Sequence, residues 1–247
     1  MGIRRHIPNT ITILNLLLGT IAVIFALKGW QLFAVYLILA AALMDFLDGF
    51  TARMLNAYSS IGKELDSLAD LVSFGLAPSF LLYYRYSHFI SPYTSGGASN
   101  IYYELIAFSP LIITAASALR LAIFNVDTRQ SVNFIGLPTP ANAILISMLI
   151  HYNVYNSNID YLFNNLYFIP IISILLSYLL ISNISMFSLK FKNLKFKENK
   201  NRYLFAIVAL SAAVPVIVTG SVWSLWLLSV FVLYILFNLT THLSGGR

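Results

Sequence analysis

The chain has 247 residues, 59% of them hydrophobic and only 10% charged, with a net charge of +6 and no cysteine. Its mean hydropathy is +0.79. Soluble domains carry about 25% charged residues, so a soluble enzyme, a disordered tail and a coiled coil are excluded, as are disulfides and thiolate chemistry.

Apolar runs near the ~20 residues that a bilayer core requires recur from end to end. They predict an all-α, polytopic transmembrane bundle of about eight spans, at 8–27, 31–55, 60–86, 101–125, 138–153, 160–187, 203–220 and 222–243. The first opens on Pro8-Asn9-Thr10, a helix-start pattern, and is too long for the apolar core of a cleaved signal peptide. The segment 86–100 reads as a loop on one side of the membrane, and the Lys-rich 188–202 as a loop on the other. Of the 15 Lys and Arg, all but Lys28 and Arg85 fall on the side that holds both termini. Positive-inside bias makes that side cytoplasmic. No repeat or second domain interrupts the chain, so 1–247 reads as one membrane domain. His6, His88, His151 and His242 show no metal spacing and read as interfacial. The last two spans hold no acidic residue and are available to pack a homodimer or close a lipid-facing groove.

The 9 acidic residues are unevenly placed: Asp45, Asp48, Glu64, Asp66 and Asp70 fall between 45 and 70, and the four aspartates lie inside apolar runs. A charge at the bilayer centre costs at least ~2.5–3.5 kcal/mol on insertion scales, so an intramembrane carboxylate is a functional residue by default. Asp45 and Asp48 are three apart and Asp66 and Asp70 four apart, so each pair shares a helix face. A short link around 56–59 turns the second helix back antiparallel to the first. At 1.5 Å per residue from Trp30, Asp45 lies about 22 Å along its helix, close to the cytoplasmic boundary.

Converging carboxylates need protons or cations. All-oxygen donors suit Mg²⁺, Mn²⁺ or Ca²⁺. Four carboxylates match two divalent ions, an arrangement that recurs where phosphorus is attacked. Gly49, Ala52 and Gly62 permit close approach, and the Arg53 guanidinium can fork onto a phosphate. On the residues alone three readings stay open: metal-dependent phosphate chemistry, an ion-coupled transporter, and structural pairing such as Asp45 with Arg53.

Residues 45–70 hold every specified position of D-x2-D-G-x2-A-R-x8-G-x3-D-x3-D without a gap. The segment resembles the signature of the CDP-alcohol phosphotransferases. The resemblance implies that Asp45 and Asp66 each bridge two metal ions, that Asp48 ligates one and Asp70 the other, and that Asp70 is also the base for the incoming alcohol. It implies that Gly49 and Arg53 hold the CDP group, with Ala52 and Gly62 leaving room and Ser59, Asn9 and Thr12 adding polar contacts. The competing reading of Asn9 and Thr12 is helix capping.

A second stretch, Arg120-Leu-Ala-Ile-Phe-Asn125 followed by Phe134-Ile-Gly-Leu-Pro-Thr-Pro-Ala-Asn142, is similar to the membrane-embedded bacterial phosphatidylserine synthases of that family. Ile123 stands where those often carry a second arginine. The similarity implies CDP-diacylglycerol and L-serine as substrates, phosphatidylserine and CMP as products, and Arg120 and Asn125 as contacts to serine. It further implies Mg²⁺ or Mn²⁺ as cofactor, with Ca²⁺ able to bind. The expected setting is a bacterial inner membrane, with the active site at the cytoplasmic face, lipid around the bundle and no nucleic-acid partner. Glycerol 3-phosphate or an inositol phosphate is the alternative acceptor, and an ether-linked lipid the alternative donor.

Overall fold

Small residues decide how the first two helices meet. In the computed structural model, which describes residues 6–94, 100–127, 134–187 and 200–243, α1 (His6–Leu27) buries Thr12, Asn15, Gly19, Ala22 and Ala26. These recur at three- and four-residue steps, one face of a helix. The α2 helix (Gln31–Met54) answers with Ala34, Val35, Ile38 and Ala41. Between apolar helices in lipid, contact rests on close van der Waals approach, which such residues permit, and α1 packs along α2 accordingly.

The α2 helix ends in a motif that fixes the link to the next. Asn56 takes a left-handed φ of 47°. The Ala57 amide bonds back to the Ala52 carbonyl at 2.9 Å and the Asn56 amide to Arg53 at 3.3 Å. These are the two hydrogen bonds of a Schellman C-cap, where Asn tolerates the left-handed position. Ser59 then caps α3 (Ser60–Asp70), its Oγ accepting from the Gly62 amide at 3.0 Å.

After Asp70 the helix widens into a π-helical turn, Leu71–Leu76, and continues as α4 (Ala77–Thr94). Such turns inside α-helices cluster at functional sites. Here the turn is clasped by close contacts. The Ser73 hydroxyl donates to the Asn15 carbonyl at 2.9 Å. A Cβ on Gly19 would collide with Ser73 Oγ and sit 2.6 Å from its Cα. Gly19→Ala should therefore lower the thermal unfolding midpoint in detergent, by the roughly 1–3 kcal/mol that overpacking costs. An unchanged midpoint would mean that α1 can retreat from the turn.

The next helix is interrupted. Asn100–Ala107 (α5) is separated by a 3₁₀ turn at Ser109–Leu111 from α6 (Ile112–Val126). Pro110 in that turn has no amide to donate to an α-helical ladder. The α6 helix runs against α3 and α4 through two side-chain ties: Thr114 Oγ1 donates to Ser79 Oγ, and Asn125 Nδ2 to Ser67 Oγ, each at 2.9 Å. A two-residue ladder pairs β1 (Phe134–Ile135) with β2 (Ser185–Met186). The α7 helix (Thr139–Tyr155) starts after Pro138, so the predicted start at 138 needs no extension toward the N-terminus. It is buried almost throughout and shows little amphipathicity, as a helix surrounded by others should.

Several expectations are corrected. The predicted helix over 160–187 is two pieces, α8 (Asp160–Phe163) and α9 (Phe168–Ile181), bent by 81°. Asn164 and Asn165 lie at the bend, where Asn165 Oδ1 accepts the Tyr167 amide at 2.9 Å and offers the backbone a turn in place of a helix. The predicted helix over 203–220 divides into α10 (Lys200–Ser211) and α11 (Ala213–Val218), before α12 (Trp223–Leu243). The expected loop at 86–100 is helical as far as Thr94. Among the described residues five helices are long and apolar enough to cross a membrane, or six if the bent pair counts as one span. His151 is buried between helices: it is 1% exposed, bonded to Tyr36 Oη at 3.1 Å, with its ring centroid 4.6 Å from that of Trp223. Hydropathy registers depth along a helix and not which side faces its neighbours. Residues 188–199, Arg4, Arg5, Arg129 and Arg247, which carry much of the predicted charge bias, lie outside the described residues.

At the end remote from the aspartates, Arg85 holds three elements together. Its Nε donates to Asn153 and its Nη2 to Asn164, both at 3.1 Å, with Asp160 at 3.7 Å. Phe163 lies beneath the guanidinium, 5.2 Å from centroid to Cζ. A half-buried arginine thereby gains a counter-charge and two amide partners, and α8 is fixed to α4 and α7.

Candidate active site

The end of α2, the link and the start of α3 face the first turns of α1 across a cavity of about 230 Å³. Asn9 and Thr12 line it from α1, and Asp48, Gly49 and Ala52 from α2. Tyr58 and Ser59 come from the link, and Gly62, Lys63 and Asp66 from α3. Asn9 and Thr12 are not caps, because the chain is already helical at His6, the first described residue. The Thr12 hydroxyl donates to the Pro8 carbonyl at 3.0 Å, so it is still able to accept a hydrogen bond. A Cβ on Gly49 would meet nothing within 4 Å, so the α2 backbone is bare to the cavity there. Arg53 is not among the lining residues. It lies exposed in the last turn of α2, which removes a buried Asp45–Arg53 pair.

Carboxylates converge at the inner wall of the cavity. Single oxygens of Asp45, Asp48 and Asp66 lie within 4.8 Å of one another. Asp48 is 6% exposed. Asp48 Oδ2 and Asp66 Oδ1 are buried with no hydrogen-bond partner. Three carboxylates at such range repel strongly wherever water is excluded, and a buried acceptor without a donor carries its full desolvation cost. Divalent cations with hard, all-oxygen coordination answer both, so the donor set fits the expected metal. Asp70 is not one of this trio, but it is near enough to feel the charge of all three. It is 8% exposed and accepts from Asn15 Nδ2 at 3.4 Å.

The two acceptor candidates differ in their surroundings. Arg120 on α6 is 6% exposed, its Cζ 5.3 Å from the Phe124 ring centroid, and its Nε is buried without a partner. Asp70 acts on it electrostatically, from beyond ion-pair distance. Asn125 has committed its side-chain amide donor to Ser67, while its backbone carbonyl accepts from Lys63 Nζ at 2.9 Å. Asn125 thus ties α6 to α3 at the edge of the cavity.

Sequence reasoning passed over Asn15. The signal was present: a carboxamide in the apolar run Ile13-Leu14-Asn15-Leu16-Leu17, one turn beyond Thr12. A polar side chain there requires a partner inside the bundle, and it has one in Asp70.

Comparison with known proteins bears on the same residues. Residues 5–181 match the family model described as CDP-alcohol phosphatidyltransferase. A CDP-diacylglycerol–serine O-phosphatidyltransferase of Helicobacter pylori is 34% identical over 210 residues, covering 83% of this chain and 79% of that protein. One of the same description from Methanocaldococcus jannaschii is 32% identical over 211 residues, with 85% and 83% covered. An archaetidylserine synthase of Methanothermobacter thermautotrophicus is 36% identical over 143 residues, with 57% and 56% covered.

Proposed function

The chain belongs to the CDP-alcohol phosphatidyltransferase family, and from that premise we propose how its residues divide the work. The reaction is transfer of the phosphatidyl group from CDP-diacylglycerol to the hydroxyl of L-serine, giving phosphatidylserine and CMP. The observation that carries the reading is the carboxylate trio Asp45, Asp48 and Asp66, two of which, Asp48 and Asp66, line a cavity, with buried Asp70 and Arg120 beyond it.

Two divalent cations, Mg²⁺ or Mn²⁺, would be held by Asp45, Asp48 and Asp66 with Asp70 at the margin; when bound they offset the charge of the diphosphate and of the carboxylates. The cavity takes the CDP group. Bare backbone at Gly49 admits the diphosphate, while Asn9, Thr12 and Ser59 offer polar atoms to the nucleoside. Arg53, exposed beside the cavity, reaches the outer phosphate.

Asp70 is the base. Asn15 orients its carboxylate, and Arg120 supplies a positive charge toward which a carboxylate-bearing acceptor is drawn. The serine hydroxyl gives its proton to Asp70 as its oxygen forms a bond to the phosphorus next to diacylglycerol. The bond from that phosphorus to the CMP oxygen breaks, and CMP leaves. Asn125 keeps α6 against α3, so that Arg120 stays level with Asp70. The active end of the bundle faces the cytoplasm, where serine and CMP are soluble, and lipid chains enter sideways between helices.

Labelled serine and CDP-diacylglycerol should yield labelled phosphatidylserine and equimolar CMP. Turnover with glycerol 3-phosphate in the absence of serine would overturn the acceptor. Arg120→Ala should raise the KM for serine by about ten- to a hundredfold, the value of a charge-assisted hydrogen bond, with the KM for CDP-diacylglycerol nearly unchanged. Equal effects on both would remove Arg120 from the serine site.

A further inference from the structure

Six buried side chains on α6 and α7 keep polar atoms that nothing in the protein satisfies; besides Ser147 and His151, farther along α7, there are four. They are Ser117 Oγ, Arg120 Nε, Thr139 Oγ1 and both amide atoms of Asn142. Ser117, Thr139 and Asn142 are 0% exposed. Native interiors satisfy nearly all such groups, and each exception calls for a ligand, a water or a function. An entire carboxamide without a partner is the most demanding case, since it offers two donors and an acceptor.

The two pairs lie at one level of the bundle. Ser117 and Arg120 are three apart on α6, as are Thr139 and Asn142 on α7, so each pair shares a face. On α6 the ties Thr114–Ser79 and Asn125–Ser67 fix an antiparallel register. A Cβ on Gly75 would stand 3.0 Å from Ser117 Cβ. Arg120 therefore falls beside the π turn that follows Asp70. On α7 the bonds His151–Tyr36 and Asn153–Arg85 set the register. Nine residues from the first, about 13.5 Å at 1.5 Å per residue, Asn142 reaches the level of Asp45. Eleven residues from the second, it reaches Phe74. Both helices pack on the π turn and on each other.

We propose that Thr139 and Asn142, with Ser117, complete the acceptor pocket that Arg120 begins, and that this pocket recognises a small zwitterion. The inference rests on the reaction proposed above and deepens it. Arg120 takes the carboxylate. The Asn142 carboxamide takes the ammonium on its oxygen and donates to the carboxylate from its nitrogen, and the two hydroxyls fill the remaining positions. An acceptor that carries only negative charge would satisfy Arg120 and leave Asn142 Oδ1 without a donor. The carboxamide thus sets the preference for an amino acid over an anionic alcohol.

The purified full-length chain is tested with near-isosteric variants, Asn142→Leu and Thr139→Val. Replacing an unpaired buried polar group by an apolar one of similar shape is neutral or stabilising for the empty protein. The expected result is a thermal midpoint equal to or above wild type, together with a KM for L-serine raised tenfold or more and a KM for CDP-diacylglycerol within twofold. In Asn142→Leu, turnover of L-serine relative to glycerate, which has a hydroxyl in place of the ammonium, should fall at least fivefold. A lowered midpoint with both KM values unchanged would mean that these groups bind internal water only, and would overturn the proposal. Parallel changes in both KM values would overturn it too. If Asn142→Leu does not fold, Asn142→Ser is judged by the same KM comparison. Wild-type protein that releases no CMP with serine refutes the reaction itself. Wild-type turnover with unaltered KM values in the variants refutes this pocket alone.

Discussion

Asp70→Asn should bind the CDP-lipid nearly as tightly as wild type and release CMP about a hundred- to ten-thousandfold more slowly. General-base catalysis contributes about 10²–10⁴ in rate, and an amide of the same shape cannot take the proton. The location of Asp70 supports separating the two effects. It lies outside the carboxylate trio and is absent from the lining of the cavity. Its Oδ1 accepts from Asn15, whose carbonyl in turn accepts from Ser73. A carboxamide fits that setting with little displacement. Single-turnover CMP release and equilibrium binding of the CDP-lipid measure the two quantities separately. Activity near wild type would exclude Asp70 as the base, and lost binding would mean that its share in holding the cations outweighs its part at the cavity margin.

The site was more legible in the sequence than the path of the chain around it. Asp45, Asp48, Asp66 and Asp70 stand out because each contradicts the apolar run that holds it, and three- and four-residue spacing assigns each pair to a face without tertiary information. The cavity residues Gly49, Ala52 and Gly62 follow from the same spacing. Asn15 did not, because its partner is 55 positions away, and only the packing of α1 on the π turn brings the two together. That turn left no trace in hydropathy, since a shift of the backbone hydrogen bonds by one residue changes no side chain's polarity. The breaks at Pro110 and at Asn164–Asn165 were lost for a related reason: a span-length window averages over two polar residues. Asn142 was quoted as part of a motif, yet its significance lies in what it fails to bond, which only the surrounding helices reveal.

Cation dependence gives the second large effect, and its sign can be worked out on stability as well as on activity. Two unit charges 4.8 Å apart interact by about 3.5 kcal/mol at an effective dielectric near 20. The trio holds three such pairs, and a whole domain is stable by only about 5–15 kcal/mol. Without cations the repulsion strains α2 against α3. Chelation should therefore abolish CMP release and lower the thermal midpoint by several degrees, and Mg²⁺ or Mn²⁺ should restore both, because a ligand that binds only the folded chain stabilises it. Asp66→Asn removes one member of two of the three pairs. Its midpoint in chelator should rise above that of chelated wild type, while the increment from added cation shrinks and activity stays at background. The opposed signs distinguish a cation site from a hydrogen-bonded structural cluster, in which the same substitution would lower the midpoint with or without metal. Should Asp66→Asn melt below chelated wild type and respond to Mn²⁺ as fully as wild type does, the carboxylate trio is not where the cations bind.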